Sequence, residues 1–323
     1  MSETLAQNLR PLVGDLRQVA STRRVVLDDG PERGVRAIIF STGGGLDFWV
    51  IEDNCFDIGQ LMWRGIQMGW QSPGGFSSAM LRSADADNGF GFNRAFSGFL
   101  ATCGLDHIRQ PANGKPLHGH FPGTPGRLVS HGVNWDADEP YVFCEGQVVQ
   151  WRYGAETLVV NRRIEAPVGQ RKIRLSDTVE NVGPDPCGVS ILYHFNLGYP
   201  LVKTGTEVTL NGRTVVEPID HPNPNGLVPS ELHCVLLPDA LCYVTSHAGL
   251  AMRFRWQAEH LPFLQIWRDL RPRCGVLSIE PCNVGRLEAQ NAIPPMLGPG
   301  QTMKFNIDID IEASEIVSNL LGG

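Results

Sequence analysis

Met303-Lys-Phe-Asn-Ile-Asp-Ile-Asp-Ile311 alternates apolar and polar residues for nine positions without a fault. Side chains of an extended chain point to opposite faces with a period of two, so this stretch predicts a strand with one buried and one wet face. Leu250-Ala-Met-Arg-Phe-Arg-Trp256 repeats the pattern, with Leu250, Met252, Phe254 and Trp256 on one face and both arginines on the other. Burial on one face only is the mark of antiparallel sheets. Further strands are expected at 35–40, 48–51, 142–151, 157–164, 172–179, 188–196, 206–210, 234–237, 242–246 and 275–280. Turn clusters separate them, among them Pro184-Asp-Pro186, Pro222-Asn-Pro-Asn-Gly226 and Pro294-Pro-Met-Leu-Gly-Pro-Gly300. With 36 glycines and 23 prolines among 323 residues, nearly a fifth of the chain favours turns. Strands do not alternate with helices as a parallel sheet requires, and the reading is a large all-β sandwich.

Near the N-terminus the period changes. Leu5, Leu9, Leu12, Leu16 and Val19 recur at spacings of three and four, which predicts an amphipathic helix broken near Pro11. The expected organisation is a helical extension over 1–30 and a single β-domain over 31–323. The formal charge of −7, with no run dense in Lys or Arg, argues against nucleic acid as a partner. No apolar stretch reaches the roughly 18 residues of a membrane span, and the first ten residues lack a basic segment followed by an apolar one. A cytoplasmic protein with no membrane partner is expected. Eight cysteines are scattered without a C-x-x-C pair and read as reduced thiols.

Residues 71–135 are rich in glycine-bearing loops, and long ordered loops in a compact domain are usually functional. Three places there and beyond concentrate titratable groups: Leu117-His118-Gly-His120, Tyr193-His194-Phe-Asn-Leu-Gly198 and Ser278-Ile-Glu280-Pro-Cys-Asn283. His194 closes an apolar strand and could be a core histidine bonded to backbone. Glu280 ends another apolar strand, where a carboxylate is costly unless it has a partner or a task. His118 and His120, two apart, would point to one side of an extended loop. Such a pair can ligate metal, as the H-x-H of cupins does with a following Glu. Positions 121–128 hold no carboxylate, and His131 would have to serve as a third ligand.

These segments, in this order, resemble the aldose 1-epimerases of the galactose mutarotase-like superfamily. His194-Phe-Asn-Leu197 is similar to that family's histidine-bearing strand end, with one residue fewer between His and Phe. Leu117-His118-Gly119 is similar to its Leu-His-Gly loop, and Val276-Leu-Ser-Ile-Glu280 to its late strand ending in an acid. Arg94 precedes His118 by 24 residues, the separation at which the family carries an arginine. Thr102-Cys-Gly-Leu105 and Ile279-Glu-Pro281 most resemble a bacterial branch of unknown function. The likeness covers roughly 35–312. The family's Gly-Arg-x-x-Asn-Arg motif is absent, the region reading Phe92-Asn-Arg-Ala-Phe-Ser97. Its substrate-binding Asp corresponds to Asp220 or Asp269.

The resemblance implies an antiparallel supersandwich and an enzyme that interconverts the anomers of a monosaccharide. Glu280 would be the base and His194 the acid, which needs no cofactor and no metal. His118, Arg94 and His120 would bind the sugar, and Trp267 offers a face on which a pyranose could stack. The alternatives are a carbohydrate-binding protein without catalysis, since fold does not fix function, and a metal-dependent sugar isomerase or lyase using His118, His120 and His131. A monomer or a homodimer is expected.

Overall fold

The computed structural model describes residues 5–78, 81–247, 249–286 and 293–313. Strands make up 48% of the chain and helices 8%, and every pairing between strands is antiparallel. The α-helix Leu5–Leu9 gives way at Arg10–Leu12 to a 3₁₀ turn, because Pro11 has no N–H to continue the ladder. A second 3₁₀ turn, Leu16–Gln18, is capped by Asp15, whose carboxylate accepts the Arg17 N–H at 2.8 Å. The first sheet then begins at Ser21–Val26, inside the first thirty residues, and pairs in register with Arg36–Ser41.

Nine strands form the largest sheet, running from Arg213–Val216 at one edge to Arg127–Asn134 at the other. The two alternating segments read first in the sequence are neighbours in it: Met252 lies opposite Ile311, Phe254 opposite Ile309 and Trp256 opposite Ile307. Their wet faces pair as well, Arg253 with Asp310 at 3.0 Å. A five-stranded sheet runs from Ser21–Val26 to Ile66–Gln67 in chain order. Another five-stranded sheet has the order Leu227–Cys234, Phe263–Asp269, Val276–Cys282, Ser190–Leu197, Leu100–Leu105. One hydrophobic core joins these three large sheets, with Phe40 and Phe48 from the first, Phe254 and Phe305 from the largest, and Phe195 and Leu277 from the third.

The strand expected at 234–237 is not formed. The strand is Leu227–Cys234, a polar edge strand held by Phe263–Asp269, and Leu236 and Leu237 are exposed beyond its end. Leu100–Leu105 and Phe263–Asp269 are strands that the alternation did not reveal, because both faces are covered and the two-residue period is lost. All eight cysteines are free thiols. Among the described residues no helix is long and apolar enough to cross a membrane.

Between the sheets lies a buried ionic cluster. Arg162, from the largest sheet, donates to Asp177 at 2.6 and 2.8 Å, to Asp57 of the first sheet at 2.6 Å and to the Thr102 hydroxyl of the third at 2.8 Å. Asp57 also accepts the Thr102 N–H at 2.7 Å, and the Tyr193 hydroxyl donates to Asp177 at 2.8 Å. Thr102 and Tyr193 are cross-strand partners. The cluster therefore fixes the rear of the strand whose next residue is His194.

Candidate active site

All eight residues of Ser190–Leu197 are buried, and the period of two divides them. Tyr193 and Phe195 enter the core, whereas Leu192, His194 and Asn196 face away from it. The neighbouring strands keep the same phase: Leu192 is opposite Cys282 and Cys103, and Gln265 is opposite Glu280. Ala101, His194, Glu280 and Gln265 thus form a row across the third sheet. Trp267 is on the same face, one row on, opposite Ser278.

His194 Nε2 lies 3.3 Å from Glu280 Oε1, and the two residues are 4% and 0% exposed. The other imidazole nitrogen, Nδ1, is 2.5 Å from Asn196 Oδ1, and Asn196 donates its amide to Gly98 O at 2.9 Å. That second bond assigns the Asn196 oxygen as the acceptor, which places a proton on His194 Nδ1 and leaves Nε2 to exchange one with Glu280. Glu280 accepts from Gln265 Nε2 at 2.5 Å and from the Ser278 hydroxyl. A buried carboxylate with two donors and a histidine beside it is fully partnered.

His118 reaches this pair from its loop. Its ring is perpendicular to that of His194 at a centroid distance of 5.5 Å. The backbone turns left-handed at His118 (φ +63°) and Gly119 (φ +78°), and a Cβ at Gly119 would collide with the carbonyls of Gly104 and His107. Glycine is required there. Burial, followed by the proximity of His194 and Arg109, holds the His118 imidazole well below its usual range, so it is neutral. Its Nδ1 accepts the Arg109 N–H at 3.4 Å, which leaves Nε2–H as a donor. Phe92 and Phe96 cover the group, at 4.7 Å from His118 and 5.2 Å from His194. Trp267 approaches His194 at 6.2 Å and is partly exposed.

His120 and Arg94 are not brought into this cluster. Because the loop turns at His118 and Gly119 instead of staying extended, the two imidazoles diverge. His120 Nδ1 binds Asp106 at 2.8 Å and Nε2 binds Asp85 at 3.1 Å. Arg94 is two-thirds exposed and forks onto Asp87, with one bond at 2.8 Å. His131, on an edge strand of the largest sheet, bonds the Thr22 hydroxyl at 2.9 Å. The three-histidine ligand set of the metal-dependent reading is therefore dispersed, and among the described residues no group of three His, Cys, Asp or Glu could hold a metal ion. Of the two aspartates, Asp269 continues the face of Gln265 and Trp267, bound by Arg271 at 2.6 Å. Asp220 is exposed beside Thr204.

The bond to Asp106 raises the His120 pKa against the effect of burial, and His120 in turn helps bring Asp106 down to about 2 although burial pushes it up. A histidine whose folded pKa is raised contributes fully below about 6.5 and loses that contribution as pH climbs through the folded value. His120→Ala is therefore expected to cost about 1 kcal/mol more at pH 6 than at pH 9, the pair being partly exposed. Urea denaturation at the two pH values measures the difference, and an equal cost at both would refute it.

Sequence reasoning missed Gln265, Asn196, Ser278 and Arg109. The first three share the strand faces of Trp267, His194 and Glu280 at spacings of two, a signal available once those strands were phased. The Arg109 guanidinium bonds residues 156 to 176 positions away, and no local pattern announces it.

The three large antiparallel sheets have the architecture of a galactose mutarotase-like supersandwich fold. Solved structures agree over nearly the whole chain. A candidate aldose 1-epimerase from Klebsiella pneumoniae is 19% identical, with 98% of this chain and 88% of that one covered at a TM-score of 0.82. A galactose mutarotase-like protein from Clostridium acetobutylicum is 12% identical over 91% and 98% of the two chains, at 0.64. For a galactose 1-epimerase from Lactobacillus acidophilus the values are 13%, 91%, 99% and 0.57. These likenesses establish the fold. No curated protein matches the chain. The chain belongs to the family described as a domain of unknown function, DUF4432, whose profile matches residues 32–230.

Proposed function

We propose that the protein is an aldose 1-epimerase-like isomerase that interconverts the anomers of a monosaccharide without a cofactor. The observation that carries this reading is the buried contact of His194 Nε2 with Glu280 Oε1 at 3.3 Å. The anomeric hydroxyl and the ring oxygen are bonded to the same carbon. An acid and a base that touch each other can therefore reach both.

In the forward step Glu280 takes the proton of the anomeric hydroxyl, the bond from the anomeric carbon to the ring oxygen breaks, and His194 gives its Nε2 proton to that oxygen. Rotation about the C1–C2 bond turns the aldehyde, and the reverse transfers close the ring on its other face. Both groups end as they began. Asn196 keeps the second imidazole proton on Nδ1, so that only Nε2 exchanges with substrate. His118, neutral with Nε2–H outward, donates to a sugar oxygen, and Trp267 supplies the apolar face against which the ring lies. Access to the pair requires Phe96 to yield.

NMR exchange between anomers tests this over a panel of aldoses, uronates and deoxy sugars. Wild type should accelerate exchange for at least one of them. His194→Asn, which retains a polar group but no titratable one, should lose that acceleration by about 10²–10⁴-fold while its circular dichroism is unchanged. Binding of a sugar with no faster exchange than in buffer would overturn the enzymatic reading in favour of a binding protein.

A further inference from the structure

Arg109 lies in the loop between Leu100–Leu105 and Arg127–Asn134 and bonds two neighbours of the candidate pair, His118 and Gln265. Its φ of +76° is a left-handed conformation that a long side chain adopts only when its surroundings impose it. There the backbone N–H donates to His118 Nδ1 at 3.4 Å and the carbonyl accepts the His118 N–H at 2.8 Å. The guanidinium turns toward the third sheet. It donates to Gln265 Oε1 at 2.7 Å, Val284 O at 2.8 Å, Gly285 O at 3.1 Å and Cys282 Sγ at 3.5 Å. No carboxylate is among these partners.

A guanidinium has donors only, so Gln265 must turn its oxygen to Arg109 and its NH₂ to Glu280. We propose that Arg109 is the positioning residue of this site, holding Gln265 as a donor to Glu280 and keeping the His118 proton on Nε2. The inference rests on the acid–base reading above and adds to it the element that turns the Gln265 donor toward the base and holds the neighbouring histidine in one tautomer. Without Arg109 the Gln265 amide is free to present its oxygen to Glu280. Oxygen facing oxygen disfavours the carboxylate, and the base is then lost to protonation at a higher pH.

Arg109→Lys and Gln265→Met in the full chain test this. Each should move the acid limb of the pH–rate profile for anomer exchange upward by about one unit or more. The double variant should move it no further than either single change, because both break the same link. A readout without substrate comes from the ¹³C carboxyl signal of Glu280, assigned by its absence in Glu280→Gln. It should change with pH over a higher range in both variants than in wild type. In Arg109→Lys the ¹⁵N shifts of the His118 ring should keep the single tautomer, because the N–H that donates to Nδ1 belongs to the backbone. Folded variants whose acid limb and ¹³C titration match wild type would overturn the proposal. If wild type exchanges no sugar but the carboxyl titration still moves in both variants, the reaction falls and the positioning role stands. Gln265→Met leaves the Arg109 bonds to Val284 and Gly285 in place, and decides the matter alone if Arg109→Lys does not fold.

Discussion

Glu280→Gln should lower the rate of anomer exchange by about 10²–10⁴-fold in a protein that remains folded. The second half of that expectation follows from the partners of Glu280. Gln265 Nε2 donates to one carboxylate oxygen at 2.5 Å, and the Ser278 hydroxyl and His194 Nε2 surround the other. An amide can meet all three. Its oxygen faces Gln265, and its NH₂ faces His194 Nε2, which can accept in this variant when the imidazole holds only the proton that Asn196 fixes on Nδ1. The Ser278 hydroxyl is free to accept as well as donate, since it already accepts the Trp267 N–H at 3.2 Å. No buried polar group is orphaned, and stability should change by less than about 1 kcal/mol. What the amide cannot do is take a proton. Exchange spectroscopy on the variant, with a thermal melt beside it, separates the two effects. Exchange at the wild-type rate would remove Glu280 from the reaction. Glu280→Ala would be a poorer experiment, because it leaves Gln265 and Ser278 without a partner and confounds chemistry with folding.

The same strands show why parts of this molecule were legible and others were not. Met303–Ile311 and Leu250–Trp256 could be read because each has one wet face, and the charges on that face keep the period visible; the structure places them side by side. His194 and Glu280 stood out for the opposite reason, as polar groups at the ends of apolar runs. Leu100–Leu105 has no such contrast, since it is covered on both faces, and Leu227–Cys234 is polar because it forms an edge. His118 was found through its glycine neighbour, and the same glycine defeated the reading of His120. A left-handed turn at His118 and Gly119 separates two imidazoles that an extended loop would have aligned. Arg94 was placed by its distance from His118 along the chain, a measure blind to the carboxylate of Asp87 that holds it. Arg109 and Arg162 were invisible because their partners come from distant strands, and sequence periodicity carries no information about which strand lies opposite which.

Arg162→Met is expected to destabilise the protein by about 3–5 kcal/mol. The arginine is fully enclosed and is shared by two carboxylates, Asp57 and Asp177, that belong to different sheets. Methionine fills the volume but leaves both carboxylates in the core without a cation. They must then protonate or draw in water, and the Tyr193 and Thr102 hydroxyls that depend on them lose their geometry. A loss of that size is a large part of the 5–15 kcal/mol by which domains are stable. Urea denaturation followed by tryptophan fluorescence measures it, and a loss below about 1 kcal/mol would show that the cluster is not what joins the sheets. Adding Asp57→Asn and Asp177→Asn to Arg162→Met should recover much of the loss, because the cost lies in the stranded charges and not in the missing bonds. The triple variant also separates fold from site. Tyr193 and Thr102 are cross-strand neighbours immediately before His194 and after Ala101. If the cluster serves only to join the sheets, exchange activity returns with stability. If it also sets the height of His194 over Glu280, the triple variant folds and remains slow.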